Sequence, residues 1–438
     1  MEVMRATLAQ MEARRDLNAF MATCAERAME EASAAEAALM RGEEIGPLFG
    51  LPFSVKDLTN TSGVVTTQGS ALYAANVPAA DAVSVARARA AGAILFGKTT
   101  TPEFGHKPFT EGPHFGRTLN PHNPGFTCGG SSGGAAAALA AGIGPLALGS
   151  DGGGSIRIPA ACCGVVGLKA TLGAIPHLQV PDLFAANSYV GPMARDIADT
   201  RLFFDSLRGP HEGDPYGQAV PPAPRGASPP RVALLMRCGN RLDPVVEAAV
   251  AAAMRNAEAL GWIIEPIELD FVALEAAFLV ILRSAMLARL GAAAARTPEK
   301  LDPTLLATIE AGRGYSAADL CDAQFARSAC FNAVQAVFAR YDLIASPTLS
   351  APPLPVGLDP AGIIEIAGAP SGTIRGAWYP YTYPFNLTGH PALSMPAGWT
   401  ANGLPIGLQL VGRWHQEDAL LDAAAALEAT GIAGWRAA

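Results

Sequence analysis

The chain has 438 residues, of which 50% are hydrophobic and only 16% are charged, and its formal net charge is −8 at pH 7. This composition allows a large buried core, while the acidic balance argues against a nucleic-acid surface, which requires a basic face. None of the seven cysteines lies in a CxxC pair, so neither a disulfide framework nor a zinc site is expected.

The N-terminal segment, residues 1–45, is rich in Ala, Glu and Arg and predicts one or two surface helices within 4–41. The start of the chain lacks the basic-then-apolar pattern of a secretory signal. The longest apolar stretch, 133–149, is interrupted by Pro145 and is interpreted as core rather than as a membrane span. We therefore expect a cytoplasmic protein that does not cross a membrane.

Helices and apolar strands alternate from residue 48 onward. Strands are predicted at 48–55, 93–96, 145–149, 232–236, 262–269, 342–345, 392–396 and 405–411. Helices are predicted at 81–91, 134–142, 155–163, 243–260 and 416–429, with a helical region over about 270–340. Loops rich in Pro or Gly are predicted at 102–126, 209–230 and 347–370. This alternation predicts an α/β fold with a covered sheet, and the length alone suggests two or three domains.

Three glycines, Gly152, Gly153 and Gly154, precede Ser155 between a predicted strand and a predicted helix. Glycines let the backbone approach a substrate closely, and successive N–H groups at the positive end of a helix dipole bind negative charge. We predict that these glycines, with the Ser155 N–H, form an oxyanion hole beside a nucleophilic serine. The alternatives are a helix-capping serine at a tight turn and a phosphate-binding site.

A second glycine-serine cluster contains Ser131. Gly129-x-Ser131-x-Gly133 matches the nucleophile elbow of α/β-hydrolases. That elbow requires a buried strand before it, and the preceding run 120–128 contains prolines that exclude a central strand. The match therefore does not make Ser131 the nucleophile, and a helix-capping serine is the alternative to a catalytic role.

Lys56 lies in a mostly apolar run, Leu51-Pro-Phe-Ser-Val-Lys-Asp57, where a charged side chain is unexpected. A lysine acts as a base only when it is neutral, which requires its pKa to fall by about three units, roughly 4 kcal/mol. Burial among apolar neighbours has this effect, provided that Asp57 points to the other side of the strand. The alternative is a snorkelling or ion-paired lysine.

Two other patterns are interpreted as structural. The segment 92–99 fits the P-loop formula GxxxxGK[ST], but its variable residues form an apolar strand whose amides pair within a sheet. His390 and His415 come late in the chain, as a triad histidine would, but both flank strands and are expected to make local hydrogen bonds. The sequence contains no HExxH motif or cluster of metal ligands, so neither a metal nor a cofactor is expected.

Several segments occur in an order that resembles the amidase signature family of serine hydrolases. They are Gly50-Leu-Pro-Phe-Ser-Val-Lys-Asp57, Gly97-Lys-Thr-Thr-Thr-Pro-Glu-Phe-Gly105, Gly129-Gly-Ser-Ser-Gly-Gly134, Gly149-Ser-Asp-Gly-Gly-Gly-Ser-Ile-Arg-Ile-Pro-Ala160, Cys163-Gly-Val-Val-Gly-Leu-Lys169, Gly191-Pro-Met193, Pro384-Phe-Asn-Leu-Thr-Gly-His-Pro391 and Pro405-Ile-Gly-Leu-Gln-Leu-Val-Gly412. The similarity extends from about residue 45 to the C-terminus, and its specificity lies in the ordered combination.

The resemblance implies a fold that replaces the two or three domains suggested by length. This fold is a single α/β/α domain over residues 1–438, built around a large, mixed and mostly covered β-sheet. Within it, the segment 1–45 is an N-terminal helical part, 50–200 is the catalytic core, and 209–230 is a surface connector.

The resemblance also implies catalytic roles. Ser155 would be the nucleophile, and Ser131, on a cis peptide after Gly130, would relay its proton. Lys56 would be the general base and later the acid. The residues that would orient the glycine turn from behind are Asp151 and Arg157.

The residues and the resemblance together predict a cofactor-independent amide hydrolase that acts by acyl transfer. Esters or carbamates fit the same chemistry because the acyl-enzyme intermediate is alike. Aromatic residues around 378–385 and in the loop 102–126 predict small-molecule amides with apolar or aryl groups, although such residues are also typical of a core. The predicted pocket residues are Phe104, Gly130, Trp378 and Tyr381.

Two alternative functions use the same motifs. One is the glutaminase subunit of a tRNA-dependent amidotransferase, which shares the Ser–Ser–Lys residues and delivers ammonia to a partner. The other is a non-catalytic scaffold or binding relative, against which the intact Lys56, Ser131 and Ser155 argue. No nucleic-acid or membrane partner is expected, and the sequence is compatible with a homo-oligomer.

Overall fold

The computed structural model describes residues 1–185, 187–219, 229–432 and 434–438. The helices are α1 (Glu2–Ala13), α2 (Ala25–Met40), α3 (Val83–Ala90), α4 (Gly133–Ala140), α5 (Arg157–Cys163), α6 (Ile197–Leu207), α7 (Pro244–Ala259), α8 (Glu275–Arg296), α9 (Pro303–Gly312), α10 (Ala317–Phe338), α11 (Pro384–Thr388) and α12 (Glu417–Glu428). The strands are β1 (Phe20–Thr23), β2 (Pro52–Lys56), β3 (Ile94–Thr99), β4 (Glu111–Gly112), β5 (Gly116–Arg117), β6 (Leu146–Asp151), β7 (Val166–Lys169), β8 (Tyr189–Ala194), β9 (Arg231–Leu234), β10 (Ile263–Pro266), β11 (Leu343–Pro347), β12 (Ile363–Ile366), β13 (Ala369–Thr373), β14 (Ala392–Trp399) and β15 (Pro405–Gly412).

Eleven strands of the described chain form one mixed sheet in the order β1-β3-β2-β6-β8-β7-β14-β15-β11-β9-β10. Strand β2 is parallel to β3 and β6, and β9 is parallel to β10 and β11. The other neighbours are antiparallel. Because β2 and β6 are parallel neighbours, their last residues, Lys56 and Asp151, lie at the same edge of the sheet.

Apolar side chains cover both faces of this sheet. One face is covered by α3, α6, α7 and α12, which bury residues such as Phe203 and Leu420 against the strands. The other face is covered by α4 and α5, whose Leu139 and Ala160 lie in a second apolar cluster. This three-layer arrangement confirms the predicted α/β/α fold. The sheet takes strands from both ends of the chain, so the two or three domains suggested by length are wrong.

Helices α8, α9 and α10 pack against one another beside the second face. The segment Val272–Arg296, which contains α8, is long and apolar enough to cross a membrane by length and composition, with a mean hydropathy of 1.6. In this fold α8 also supplies Phe278 and Ile281 to the apolar cluster that holds α4 and α5. Only 17% of the apolar window is buried, so α8 contributes one side of its surface to the protein interior.

Each strand and helix predicted from residue 48 onward has a counterpart in the structure, with shifted ends in places. Strand β1, however, lies inside the segment predicted as helical, and the hairpin β12–β13 begins inside the predicted loop 347–370 and extends beyond its end. The sequence did not predict strands β7 and β8, because Gly167, Gly191 and Pro192 are residue types that strands disfavour. Of the predicted connector 209–230, residues 220–228 lie outside the described chain.

Candidate active site

Lys56, the last residue of β2, is fully buried at the edge of the sheet. Its Nζ donates a hydrogen bond to Ser131 Oγ at 2.7 Å, and it lies 3.0 Å from Ser150 Oγ and 3.3 Å from the Ser150 carbonyl oxygen. Ser150 precedes the end of the neighbouring strand β6. The parallel pairing of β2 with β6 therefore brings the amine to two hydroxyl groups.

Burial lowers the pKa of Lys56 to about 7, and the negative charge of Asp151 opposes this shift. The neighbouring Asp57 does not counteract it, since its carboxylate turns away and accepts hydrogen bonds from the N–H and hydroxyl of Thr67. Asp57 lies 4.0 Å from Lys98 instead. The amine of Lys56 is thus set to be neutral near physiological pH, the state that a base requires.

Lys98 and the late histidines have structural surroundings. Lys98 belongs to β3, and its Nζ donates to Thr59 O at 2.5 Å and to Thr61 Oγ1 at 2.9 Å. The P-loop formula at 92–99 is therefore part of a strand, as predicted. Nδ1 of His390 lies 2.9 Å from Thr388 Oγ1 and its Nε2 lies 3.4 Å from Gln335 Nε2, so both ring nitrogens face residues other than Lys56, Ser131 and Ser155.

Ser131 and Ser155 belong to two turns that are tied together. The Gly130–Ser131 peptide is cis. The N–H of Ser132 donates to the Ser155 carbonyl at 3.0 Å, and Ser132 Oγ donates to the Ser150 carbonyl at 3.1 Å. Ser131 is buried, Ser155 is half-buried, and both line the same cavity. The structure thus gathers Lys56, Ser131 and Ser155 at one site.

The glycine turn is built around the carboxylate of Asp151. Oδ1 of Asp151 accepts the Gly154 N–H at 2.6 Å, and Oδ2 accepts the Ile156 N–H at 3.1 Å. The predicted oxyanion donor Gly154 is therefore wrong, because its N–H is already used. The N–H groups of Gly152, Gly153 and Ser155 donate to no other residue of the described chain, which leaves them available.

Arg157 forms a fully buried ion pair with Asp151 through Nε and Nη2, each at 3.0 Å. Its remaining donors bind Asn386 Oδ1 at 2.7 Å and Gln409 Oε1 at 2.8 Å. Burial alone would raise the pKa of the Asp151 carboxyl, but the charge of Arg157 and the hydrogen bonds from Arg157 and Asn386 hold this pKa well below its usual value. The turn therefore rests on a permanently charged, fully hydrogen-bonded support.

A cavity of about 640 Å³ opens above this turn. Its floor includes Gly130, Ser131, Gly152, Gly153 and Ser155. Its wall includes Phe104, Phe278, Ile281, Arg289, Arg375 and Tyr379. The wall is apolar over much of its area because α8 faces it, so the site suits a small molecule with an apolar part.

Two predicted pocket residues, Trp378 and Tyr381, do not line this cavity. Both are fully buried. Trp378 donates its Nε1–H to the Ala351 carbonyl at 3.1 Å, and Tyr381 donates its hydroxyl to the Met236 carbonyl at 2.8 Å. These two residues belong to the core and not to the pocket, because each ring is packed in an apolar cluster and its polar atom is hydrogen-bonded. The other two predicted residues, Phe104 and Gly130, do line the cavity.

Sequence reasoning missed several residues of the site. Ser150, Asn386 and Gln409 lie within the segments that carry the family resemblance, so the signal that could have found them was present. Phe278 and Arg375 lie outside those segments, and no local pattern marks them. Among the residues that the structure describes, no group of three or more His, Cys, Asp or Glu side chains could hold a metal ion.

The sequence is similar to one family model and, over most of its length, to several known proteins. The family model described as Amidase matches residues 2–421. The chain is 36% identical over 392 residues to an acylamidase of Rhodococcus erythropolis, covering 87% of this chain and 81% of that protein. It is also 36% identical over 443 residues to a glutamyl-tRNA(Gln) amidotransferase subunit of Moorella thermoacetica, covering 94% of this chain and 89% of that protein.

A solved structure extends the similarity to three dimensions. The crystal structure of a bacterial aryl acylamidase of the amidase signature family has a TM-score of 0.90 to this chain and is 28% identical in sequence. The match covers 98% of this chain and 93% of that chain. The similarity therefore extends over nearly the whole chain.

Proposed function

The chain belongs to the amidase signature family and is an amide-hydrolysing enzyme, and from this premise we propose that it works through an acyl-enzyme on Ser155. Ser131 and Lys56 form the proton relay. The observation that carries this proposal is the 2.7 Å contact between Nζ of the buried Lys56 and Ser131 Oγ, in the cavity that Ser155 also lines. The segment 50–200 is then the catalytic core, completed by residues from later in the chain.

The proposed reaction moves one proton forward and back. Ser155 Oγ attacks the amide carbonyl carbon while its proton passes to Ser131 Oγ, and the Ser131 proton passes to the neutral amine of Lys56. The ammonium of Lys56 then returns a proton through Ser131 to the departing nitrogen, and the C–N bond breaks. Water attacks the acyl-enzyme by the same relay and restores Ser155.

The developing oxyanion is proposed to bind the N–H groups of Gly152, Gly153 and Ser155. The Asp151 carboxylate supports this arrangement, because its bond to Gly154 holds the turn so that the remaining amides face the cavity. One well-placed donor of this kind contributes about 10²- to 10³-fold in rate. No cofactor is required for any of these steps.

We propose apolar or aryl amides as substrates. The cavity volume of about 640 Å³ falls within the usual range for small-molecule sites, and Phe278, Ile281 and Tyr379 offer apolar surface. The similar structure of an aryl acylamidase supports the same class. Esters and carbamates with the same acyl groups are expected to react as well, since they pass through an equivalent acyl-enzyme.

A glutaminase subunit is the second candidate, and the similarity to the Moorella thermoacetica amidotransferase subunit favours it. It requires a partner protein that uses the released ammonia. Glutamine-dependent ammonia production that appears only with a co-purifying partner would establish this candidate. The apolar wall with Phe278 and Ile281 favours the first candidate over a site for the polar glutamine side chain.

A cytoplasmic location and a homo-oligomer remain part of the proposal.

The proposal is tested by labelling and turnover of Ser155→Ala. The wild-type enzyme should react covalently with a fluorophosphonate and hydrolyse a panel of acyl anilides, and Ser155→Ala should lose both, with a fall in kcat of about 10⁴-fold or more. Ser284→Ala, which removes another hydroxyl bordering the cavity, is the matched control and should still be labelled. Labelling of Ser155→Ala at the wild-type rate would refute the assignment of the nucleophile.

A further inference from the structure

Arg375 stands out among the charged residues of the cavity because its guanidinium has no polar partner. It lies on the π-helical turn Ile374–Trp378, is half-buried and lines the cavity. It forms no hydrogen bond or ion pair with any residue in the described ranges. A guanidinium that lines a cavity and bonds no protein group has its donors available for a bound ligand.

The other charged groups of the wall are satisfied within the protein. Lys107 forms an ion pair with Asp302 at 2.8 Å. Arg289 donates to Gln68 Oε1 at 2.5 Å, with its guanidinium carbon 5.2 Å from the centre of the Phe104 ring. The carboxylate of Asp182, the acid on this wall, accepts the backbone N–H groups of its own loop. Because Gln68 is neutral, the positive excess of the cavity is shared by Arg289 and Arg375, but of these two only Arg375 has no hydrogen-bond partner among the described residues.

The contacts of Arg375 leave its hydrogen-bonding edge free. Its guanidinium carbon lies 4.7 Å from the Phe278 ring centre and 5.3 Å from the Tyr379 ring centre. Contacts with aromatic rings hold a cation without a hydrogen bond to a polar atom, so these two contacts leave the N–H donors of the guanidinium unused. The two aromatic rings thus hold the group in place without consuming a donor. Glu275, on α8, forms no ion pair with Arg375 and accepts a hydrogen bond from Thr373 instead.

Arg375 also lies beside the reacting centre. A Cβ atom placed on Gly153 would come within 3.7 Å of Arg375 Nη1 and within 2.9 Å of the Phe278 ring. Gly153 is one of the amides proposed to bind the oxyanion, and it lies two residues before Ser155. A group bound by Arg375 would therefore sit within a few bonds of the carbonyl that Ser155 attacks.

We propose that Arg375 is a specificity-determining residue that binds a carboxylate of the substrate. A planar guanidinium with free edge donors matches the two oxygens of a carboxylate, which it binds through parallel hydrogen bonds. The substrates are then amides with an apolar or aryl part and a carboxylate a short distance from the scissile bond. This inference rests on the proposed function, because it concerns the same cavity.

Matched pairs of chromogenic amides test the inference. Succinyl p-nitroanilide and butyryl p-nitroanilide differ by a carboxylate on the acyl side, whereas N-acetyl-5-amino-2-nitrobenzoate and acetyl p-nitroanilide differ on the leaving side. In at least one pair, kcat/KM of the wild-type enzyme should favour the carboxylate by about 10-fold or more. Arg375→Gln should abolish this preference, and Arg375→Lys should keep part of it, since an ammonium is a single point charge.

Arg289→Gln is the matched control, because it removes the same charge from the same cavity at an exposed position where the guanidinium already donates to Gln68. Its carboxylate preference should stay within a few-fold of the wild-type value. A preference that survives Arg375→Gln, or that falls equally in Arg289→Gln, would overturn the role of Arg375. Equal kcat/KM within both wild-type pairs would overturn it too.

Fluorophosphonate labelling separates this inference from the proposed function. If Ser155 is labelled and neutral anilides are cleaved without a carboxylate preference, only the role of Arg375 fails. If Ser155 is not labelled and no anilide is cleaved, the proposed function fails first. If labelling occurs without anilide turnover, protection against labelling by succinamate and by butyramide gives the same comparison, and equal protection overturns the inference.

Discussion

The floor and the wall of the cavity are built in different ways. The floor consists of the ends of β2 and β6 and the two glycine-serine turns, and the side chains that support it are buried and hydrogen-bonded, as in the pair of Arg157 with Asp151. The wall consists of α8 and the π-helical turn, and its side chains are largely apolar; Phe278 and Tyr379 are buried, whereas Arg375 is half-buried. Its one unpaired cation in the described chain is Arg375.

This difference separates chemistry from selectivity. In the floor, burial sets the protonation states, since it lowers the pKa of Lys56 to about 7 while the pairing with Arg157 keeps Asp151 charged. Such settings depend on every neighbouring donor and acceptor and tolerate little change. In the wall, side chains of similar size can be exchanged without disturbing those settings. We therefore expect floor substitutions to change rate or stability, and wall substitutions to change the choice of substrate.

The largest effect in the floor is expected for Lys56→Ala. Loss of the general base should lower kcat/KM by about 10²- to 10⁴-fold. In the wild-type enzyme kcat/KM should fall about tenfold per pH unit below about pH 7, because Lys56 becomes protonated there and cannot accept a proton, and it should level off above that value. Pre-steady-state acylation rates over pH 5–9 would measure both effects.

Lys98→Met is the matched control for this prediction. Lys98 is the other buried lysine of the adjoining strand, and burial lowers its pKa to about 8. Its replacement should lower stability through the lost bonds to Thr59 and Thr61, yet leave the fall in kcat/KM below pH 7 in place. If that fall disappears in Lys98→Met and persists in Lys56→Ala, the base has been assigned to the wrong lysine.

The next effect concerns the support of the floor. Arg157→Met leaves the buried carboxylate of Asp151 without its partner, which should lower the free energy of unfolding by about 3–5 kcal/mol at pH 7. The loss should shrink as the pH falls. In the wild type, the pKa of Asp151 is lower in the folded protein than in the unfolded chain, so its ionisation stabilises the fold above the unfolded pKa, and this stability is lost on acidification. In the variant, burial without Arg157 should raise the pKa of Asp151 in the folded protein, so protonation removes the cost of the unpaired buried charge.

Chemical denaturation at pH 7 and pH 5 would measure this pH dependence. Arg208→Met is the control, since Arg208 pairs with Asp418 at 3.0 Å on the surface, where it is 38% exposed. An exposed pair of this kind contributes about 1 kcal/mol or less. If Arg157→Met costs no more than Arg208→Met, the floor does not depend on its buried ion pair and the contrast with the wall is lost.

The same contrast explains what the sequence could predict. The floor residues from Ser131 to Arg157 come from short contiguous segments, so glycine spacing and the misplaced Lys56 made Ser155 and Lys56 candidates. The family resemblance was needed to assign their roles and to add the supports Asp151 and Arg157. The exception is Gly154, whose N–H is taken by Asp151. Glycine spacing states that a turn is possible, but which amide is free depends on how the Asp151 carboxylate is oriented, and this is a tertiary property.

The wall could not be predicted in this way. Phe278 lies on a long apolar helix, α8, in which many residues have the same composition and only packing selects those that face the cavity. The sequence predicted that the aromatic cluster around Trp378 and Tyr381 lines the pocket. These rings are among the largest fully buried side chains, and they pack in the core instead. Arg375 carries no sequence signal, because its significance lies in the absence of a partner among the described residues.

The smallest expected effect compares two aromatic residues of the wall region. Phe278→Ala should reduce the preference for acyl anilides over small aliphatic amides by about 10-fold in kcat/KM, since the lost ring contact is worth about 1–2 kcal/mol. Because this ring is also buried in an apolar cluster, the change should lower the free energy of unfolding by about 3–5 kcal/mol as well. Trp378→Phe removes a buried hydrogen bond to Ala351 and should lower the free energy of unfolding by about 1–3 kcal/mol with the substrate preference intact.

Both variants should be assayed with the same two substrates and unfolded in the same denaturant. If Trp378→Phe changes selectivity as much as Phe278→Ala does, the buried aromatic cluster acts on the substrate through the wall. The wall and the core would then be less separate than proposed. Selectivity that changes in Phe278→Ala alone would confine substrate choice to side chains that touch the cavity, among which Arg375 is the charged one that remains unpaired in the described chain.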